Sequence, residues 1–389
     1  MSTAPQFDVE MAGFWHDPYP ALQEMRQKIP ICTVPQLAGT VFAGRDDIFT
    51  CEKSIEVFSS HQPDGLMNTL MGHNMMRKDG AAHAFERKAI FPTVSPKTVR
   101  DHWSALFAKR TDEILLRLVS TGKADLCADY ALPVAGEALK VITGLTNVSF
   151  ADMDNWSQAM IDGIANYLGD AGVEKRCQQA TANIDAAIDD MVPVLKAAPD
   201  QSLLAVMLAA GLPMDSVRAN IKLAISGGQN EPRDVIAGAA WALLTHEDQL
   251  QQVQAGEIAW KQVFEEYCRW VSPIGMTPRR IARDYSYKGI EFYENDKIFF
   301  MFSSANRDES HFDNGDQFDL SRDLSKSIAF GAGPHFCAGA WAARALVGEI
   351  ALPKLFNRLK NLRLSRDDRV TFGGWAFRGP LQVCIEWDV

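Results

Sequence analysis

The chain has 389 residues, 47% of them hydrophobic, and a formal net charge of −10. That charge excludes general affinity for nucleic acid or an anionic membrane, and no apolar run reaches the ~18–20 residues that span a bilayer. The first eight residues lack the basic region and apolar core of an export signal, so a cytoplasmic protein is expected. No linker, repeat or low-complexity run interrupts the chain, and residues 1–389 read as a single domain. Seven cysteines, at 32, 51, 127, 177, 268, 337 and 384, are too dispersed for a disulfide scaffold or a zinc or iron–sulfur cassette. If a metal is used, one cysteine acting alone must hold it.

In chain order, 19–28 reads as a short helix and 32–43 as glycine-broken β structure. Over 96–119, Val99, Trp103, Leu106, Phe107, Ile114, Leu115 and Leu118 recur at helical spacing, and Pro96 suits the start of that helix. Helices follow over 131–144, 151–167, 170–195 and 201–209. The stretch 214–246 is long and apolar, and one central helix is expected there, kinked at Pro232, which lacks the N–H that a helix interior uses. Another helix is expected over 255–271. Strands around a turn at Glu294-Asn295-Asp296 are expected within 285–302, then a helix over 340–357 and a closing strand over 381–387. The sum is a mainly α, α-rich α+β body with small sheets.

Cys337 lies in Phe330-Gly331-Ala332-Gly333-Pro334-His335-Phe336-Cys337-Ala338-Gly339, a glycine-broken loop running into an apolar helix. Backbone N–H groups at a helix N-terminus lower a thiol's pKa, and the glycines let something flat approach the backbone. An iron porphyrin with one axial thiolate explains such a loop; a structural cysteine in a turn is the rival reading. Glu266 and Arg269 stand three apart on one helical face, as either an exposed ion pair or a buried clamp.

Together with Ala305-Asn306-Arg307-Asp308 and Phe318-Asp319, these features resemble the bacterial cytochrome P450s, soluble haem-thiolate monooxygenases. Glu266 and Arg269 match that family's structural Glu-x-x-Arg pair, 305–319 its meander, and 330–339 its haem-binding signature. The resemblance covers essentially the whole chain. It implies the cytochrome P450 fold, a triangular helical body, with haem b on Cys337 and Phe330, Gly331 and Gly339 shaping the loop. It also implies that His83 and Arg87, four apart on a helix, meet a haem propionate, with Arg279 and His335 gripping from the other side. Arg280 fits the neighbouring register equally well. Dioxygen and a redox partner, a reductase or ferredoxin passing on NADH-derived electrons, are implied as well.

The central helix departs from the family pattern. It reads Ile225-Ser226-Gly227-Gly228-Gln229-Asn230-Glu231-Pro232-Arg233-Asp234, with Asn230 at the usual acid position and Glu231 at the usual threonine position. Burial raises a carboxylate's pKa, so Glu231, beside Asn230 and Gln229, is a candidate to move protons; an ion pair with Arg233 or another base is the alternative. The Gly-x-x-x-Glu-Pro core and the segment 374–380 are similar to aromatic O-demethylases of the guaiacol and syringol type. That similarity implies a methoxyphenol substrate, a step in aromatic (lignin-derived) catabolism, in a pocket lined by Ile164, Gly227, Gly228 and Phe377. Terpene hydroxylation, peroxide-driven oxygenation and a haem-based sensor or carrier stay open as alternatives.

Overall fold

The computed structural model describes residues 1–166, 169–365 and 369–389. Tyr167, the expected end of the 151–167 helix, lies outside them. The contacts group the chain into two compact units. One holds residues 1–62, 238–337 and 367–383, the other 63–237, 338–366 and 384–389.

The first unit contains a five-stranded sheet in the order Ile31–Val34, Gly39–Phe42, Lys297–Phe300, Thr277–Ile281 and Phe58–Ser59. Its neighbours are antiparallel except Gly39–Phe42 beside Lys297–Phe300. Three of its rings pack together, Phe42 standing 5.7 Å from Phe58 and 5.4 Å from Phe300, both edge-on, as the quadrupole of aromatic rings favours. Strands do flank the turn at Glu294-Asn295-Asp296, but they do not pair with each other. Tyr285–Tyr287 and Ile290–Phe292 form the hairpin instead, because Lys288 and Gly289 both take positive φ (52° and 77°) as a tight two-residue turn requires.

The second unit is mostly helical. Its core is lined by Met67, Met71, Met153, Met160, Met207, Ile184, Ile188, Ile221 and Ile225. Each such side chain contributes about 1.5–3 kcal/mol on burial, and methionine, unbranched and flexible, fills irregular gaps between packed helices. Helix Phe150–Ile164 begins with a capping box, in which Ser149 accepts from the Asp152 N–H and the Asp152 carboxylate accepts from the Ser149 N–H. It lies close to helix Ala171–Ala197 at Gly163, where any Cβ would stand 2.7 Å from Cys177 Sγ. The closing strand runs Cys384–Asp388, between Lys123–Asp125 and Lys360–Leu364. It starts three residues later than expected, because Gly379–Pro380 forms its own short ladder with Phe372–Gly373.

The central stretch differs most from expectation. It forms two helices, Met214–Gly228 and Asn230–Leu244, parted at Gln229. In an unbroken helix the Pro232 ring would strike the Gly228 carbonyl and leave it without a donor. Ending one helix at Gly228 puts Pro232 in the first turn of the next, where an N–H has no intrahelical partner to lose. The kink therefore sits upstream of the proline. The helix expected from 255 begins instead at Trp260, after a reversal through Gly256 at φ +79°.

Candidate active site

In the first unit, the cysteine loop is built outward from a buried clamp. Glu266 and Arg269, on helix Trp260–Val271, are both fully buried and joined by two 2.7 Å bonds, Nε to Oε2 and Nη2 to Oε1. Arg269 also donates to the carbonyls of Asn306 (2.9 Å), Gly315 (2.7 Å) and Gln317 (2.9 Å), and Glu266 accepts the Asp319 N–H at 2.9 Å. The exposed-pair reading is therefore excluded, and the pair pins the segment 305–319. Within that segment the Asn306 amide donates to Ser272 Oγ at 2.9 Å and accepts the Ile328 N–H at 2.8 Å. The Ile328 carbonyl accepts from Gly331, which carries φ +83° and opens the loop.

Cys337 closes that loop, its N–H bonded to the Phe330 carbonyl at 2.9 Å. It is the exposed member of the seven cysteines; five are buried and Cys384 is intermediate. Burial drives the Cys32 and Cys51 thiols up to about 12, which makes both inert as thiolates. Three residues on, the helical run Ala340–Ala343, Arg344–Ala351 and Leu352–Arg358 begins, with Gly339 as its N-cap. A Cβ on Gly339 would meet nothing within 4 Å, so the backbone there admits a close neighbour. Phe330 stacks on Phe264 with ring centroids 5.9 Å apart. His335 is half-buried on the same loop.

Arg279 and Arg280 separate cleanly. Arg279 is buried, donating to Thr277 Oγ1 at 2.7 Å and reaching Glu52 Oε1 at 3.3 Å, while Glu52 Oε2 accepts the Ala332 N–H of the cysteine loop at 2.6 Å. Arg280 turns to the His61 carbonyl and Asn295. Arg279 is thus the arginine beside the loop. Sequence reading missed Glu52; its only trace there is the pair of glycines at 331 and 333. Phe377, half-buried, pairs with Ile274 in an isolated bridge, behind a turn at Gly374 (φ +88°).

In the second unit, His83 is buried and Arg87 half-buried on helix Gly80–Val94, one turn apart on one face. Ile164 ends its helix and packs against the methionine-lined core. The two glycines of the central stretch prove unlike. A Cβ on Gly227 would meet nothing within 4 Å, whereas on Gly228 it would come within 2.8 Å of Leu139 Cδ1. Gly227 therefore borders open space, and Gly228 is a packing position rather than an opening.

At the break between helices, Gln229, Asn230 and Glu231 each carry a buried acceptor oxygen with no hydrogen-bond partner: Oε1, Oδ1 and Oε2 respectively. The amide nitrogens are engaged, Gln229 Nε2 with Asp154 Oδ1 at 3.0 Å and Asn230 Nδ2 with Gln158 Oε1 at 3.3 Å. Arg233 is taken up by Asp154 and Asp234, each at 3.0 Å, so the alternative in which it pairs with Glu231 does not hold. Desolvation raises the Glu231 carboxyl from 4.5 to about 7; its own backbone N–H and, less strongly, Arg233 oppose the rise, and the Asp234 charge adds to it. A carboxyl poised there can both give and take a proton near neutral pH.

These donors suit a planar group bearing carboxylates and bound through one thiolate. Cys337 is exposed at the end of a hydrogen-bonded loop, and a buried arginine stands beside that loop. Among the described residues, no three His, Cys, Asp or Glu side chains group as a metal site, and no helix is long and apolar enough to cross a membrane.

Residues 258–358 match the family model for cytochrome P450. The steroid C26-monooxygenase of Mycolicibacterium smegmatis is 27% identical over 82% of this chain and 80% of its own length. The vitamin D(3) 25-hydroxylase of Pseudonocardia autotrophica is 24% identical over 92% and 91%. The crystal structure of P450BioI with an acyl carrier protein bearing hexadec-9Z-enoic acid superposes with a TM-score of 0.88 at 21% identity, covering 97% of this chain and all of that one.

Proposed function

This chain belongs to the cytochrome P450 family and is a haem b monooxygenase, and from that premise we propose that it oxidatively O-demethylates a small methoxyphenol, with Glu231 as its proton-holding carboxylate. The buried, unpartnered Oε2 of Glu231 carries this reading. Cys337 would hold the haem through its thiolate, and His83, Arg87, Arg279 and His335 would hold the haem carboxylates. The whole chain works as one catalytic domain. When bound, the haem would supply dioxygen activation and oxidation of a C–H bond, with two electrons provided by a reductase or ferredoxin.

The remaining work belongs to the protein. Cys337 donates charge from a loop that the Glu266–Arg269 clamp holds still. Glu231 keeps a proton on a buried oxygen and recovers it after release, where an alcohol only relays one. Gly227 leaves room beside the helix break for a flat ring, and Phe377 and Ile164 are the side chains assigned to contact with the substrate. The product of methyl oxidation, a hemiacetal, collapses to a phenol and formaldehyde.

Support for the methoxyphenol comes from the Gly-x-x-x-Glu-Pro core. The names of the two relatives favour a second reading, hydroxylation of a sterol-sized substrate. A binding screen separates them. Guaiacol- and syringol-type phenols are expected to move the Soret band to the high-spin position and to yield one formaldehyde per phenol formed. Ile164→Phe should exclude the ring with two ortho methoxy groups more than the ring with one. A shift with sterols and none with methoxyphenols replaces the first reading by the second.

A further inference from the structure

Glu52 is a buried carboxylate, 2% exposed, that the chemistry above does not use. It caps the C-terminus of helix Arg45–Cys51 and is wedged into the cysteine loop at three points. Oε2 accepts the Ala332 N–H at 2.6 Å. A Cβ at Gly331 would lie 3.3 Å from Oε1, and one at Gly333 would lie 2.3 Å from the Glu52 carbonyl oxygen, so the second position admits only glycine. Oε1 faces Arg279 Nη2 at 3.3 Å, and the His335 ring adds a further positive influence. Burial is the largest influence and raises this carboxyl above its ordinary range, although Arg279, the Ala332 N–H and His335 pull it back down. Uncompensated, such a charge would cost several kcal/mol; the arginine and the amide are what make it tenable.

We propose that Glu52 is a positioning residue of the haem site, bracing the Cys337 loop through Ala332 and sharing Arg279 with a haem carboxylate, so that its charge sets the ferric–ferrous balance. This rests on Cys337 as the haem ligand. Once ionised beside Arg279, Glu52 disfavours the extra electron of the ferrous state and draws off part of the positive charge that Arg279 offers the haem.

The test is E52Q in the haem-loaded enzyme, because glutamine keeps an acceptor for Ala332 and removes only the charge. The ferrous carbonyl spectrum is recorded first and the reduction potential second. The expected result is an unchanged thiolate-type Soret band with the reduction equilibrium moved about three- to tenfold towards ferrous. An unchanged band with an unchanged potential overturns the proposal. A wild-type band at the histidine-type position instead overturns the ligation on which it rests, so the two failures are distinguishable. If E52Q does not retain haem, E52D decides, since it keeps the charge on a shorter stem. Haem retention at the wild-type potential supports the proposal, and loss of haem in both variants reduces Glu52 to packing and overturns it.

Discussion

Arg269→Ala is expected to lose about 3–5 kcal/mol of stability, enough to unfold a marginal enzyme near growth temperature. The reason is the company that Arg269 keeps. Its guanidinium satisfies both oxygens of a fully buried Glu266 and three backbone carbonyls of the segment 305–319. Truncation removes both 2.7 Å bonds to a fully buried carboxylate, leaving it the Asp319 N–H and Arg322 Nε at 3.5 Å, and takes the donor from those buried carbonyls. Arg269→Lys should rescue little, because an ammonium cannot reproduce the planar fork that meets Glu266 with two parallel bonds. Denaturant melts of the three proteins check this. An Arg269→Ala protein within 1 kcal/mol of wild type, on the scale of an exposed pair, would show that the clamp does not hold the segment.

Glu231→Gln has the largest expected effect on chemistry and the opposite effect on stability. A carboxyl whose folded pKa lies above its unfolded value binds its proton more tightly when folded, so it lowers stability as pH climbs from 4.5 to about 7. The full effect is up to about 3 kcal/mol against folding at pH 8. Glutamine does not titrate, so the variant should match or exceed wild type in melting temperature at pH 8, with a flatter pH dependence between 5 and 8. Asp234, raised to about 6 by burial against the pull of Arg233, contributes in the same sense and stays in the variant. Catalysis should move the other way. Product formed per electron consumed is expected to fall, and any peroxide-driven turnover to drop by at least roughly 10²-fold, the usual share of a general acid–base group. Threonine should restore part of the reductase-driven reaction and none of the peroxide-driven one. Loss of several degrees at pH 8 with coupling intact would instead make Glu231 a structural charge.

Much of this site is legible in the sequence because it is local. The glycines of 330–339, the three-residue spacing of Glu266 and Arg269, and the four-residue spacing of His83 and Arg87 fix which residues share a loop or a helical face. What is not legible depends on distant partners. Pro232 marks a break in the central stretch, but only the carbonyl four residues upstream puts that break at Gln229. Gly227 and Gly228 look alike until Leu139, from another helix, fills the space beside one of them. Arg233 finds Asp154, 79 residues away, in preference to its neighbour Glu231. Glu52 meets the cysteine loop across 280 residues of chain. No periodicity or motif reports such a contact.

The central claim is that Cys337 alone ties the haem to this protein, and the ferrous carbonyl complex tests it directly. Fresh, folded enzyme should show the strongly red-shifted Soret band of a thiolate donor, and Cys337→His should move it to the position typical of histidine ligation while the fold persists. A wild-type band already at the histidine position, or a red-shifted band that survives removal of Cys337, would contradict the account.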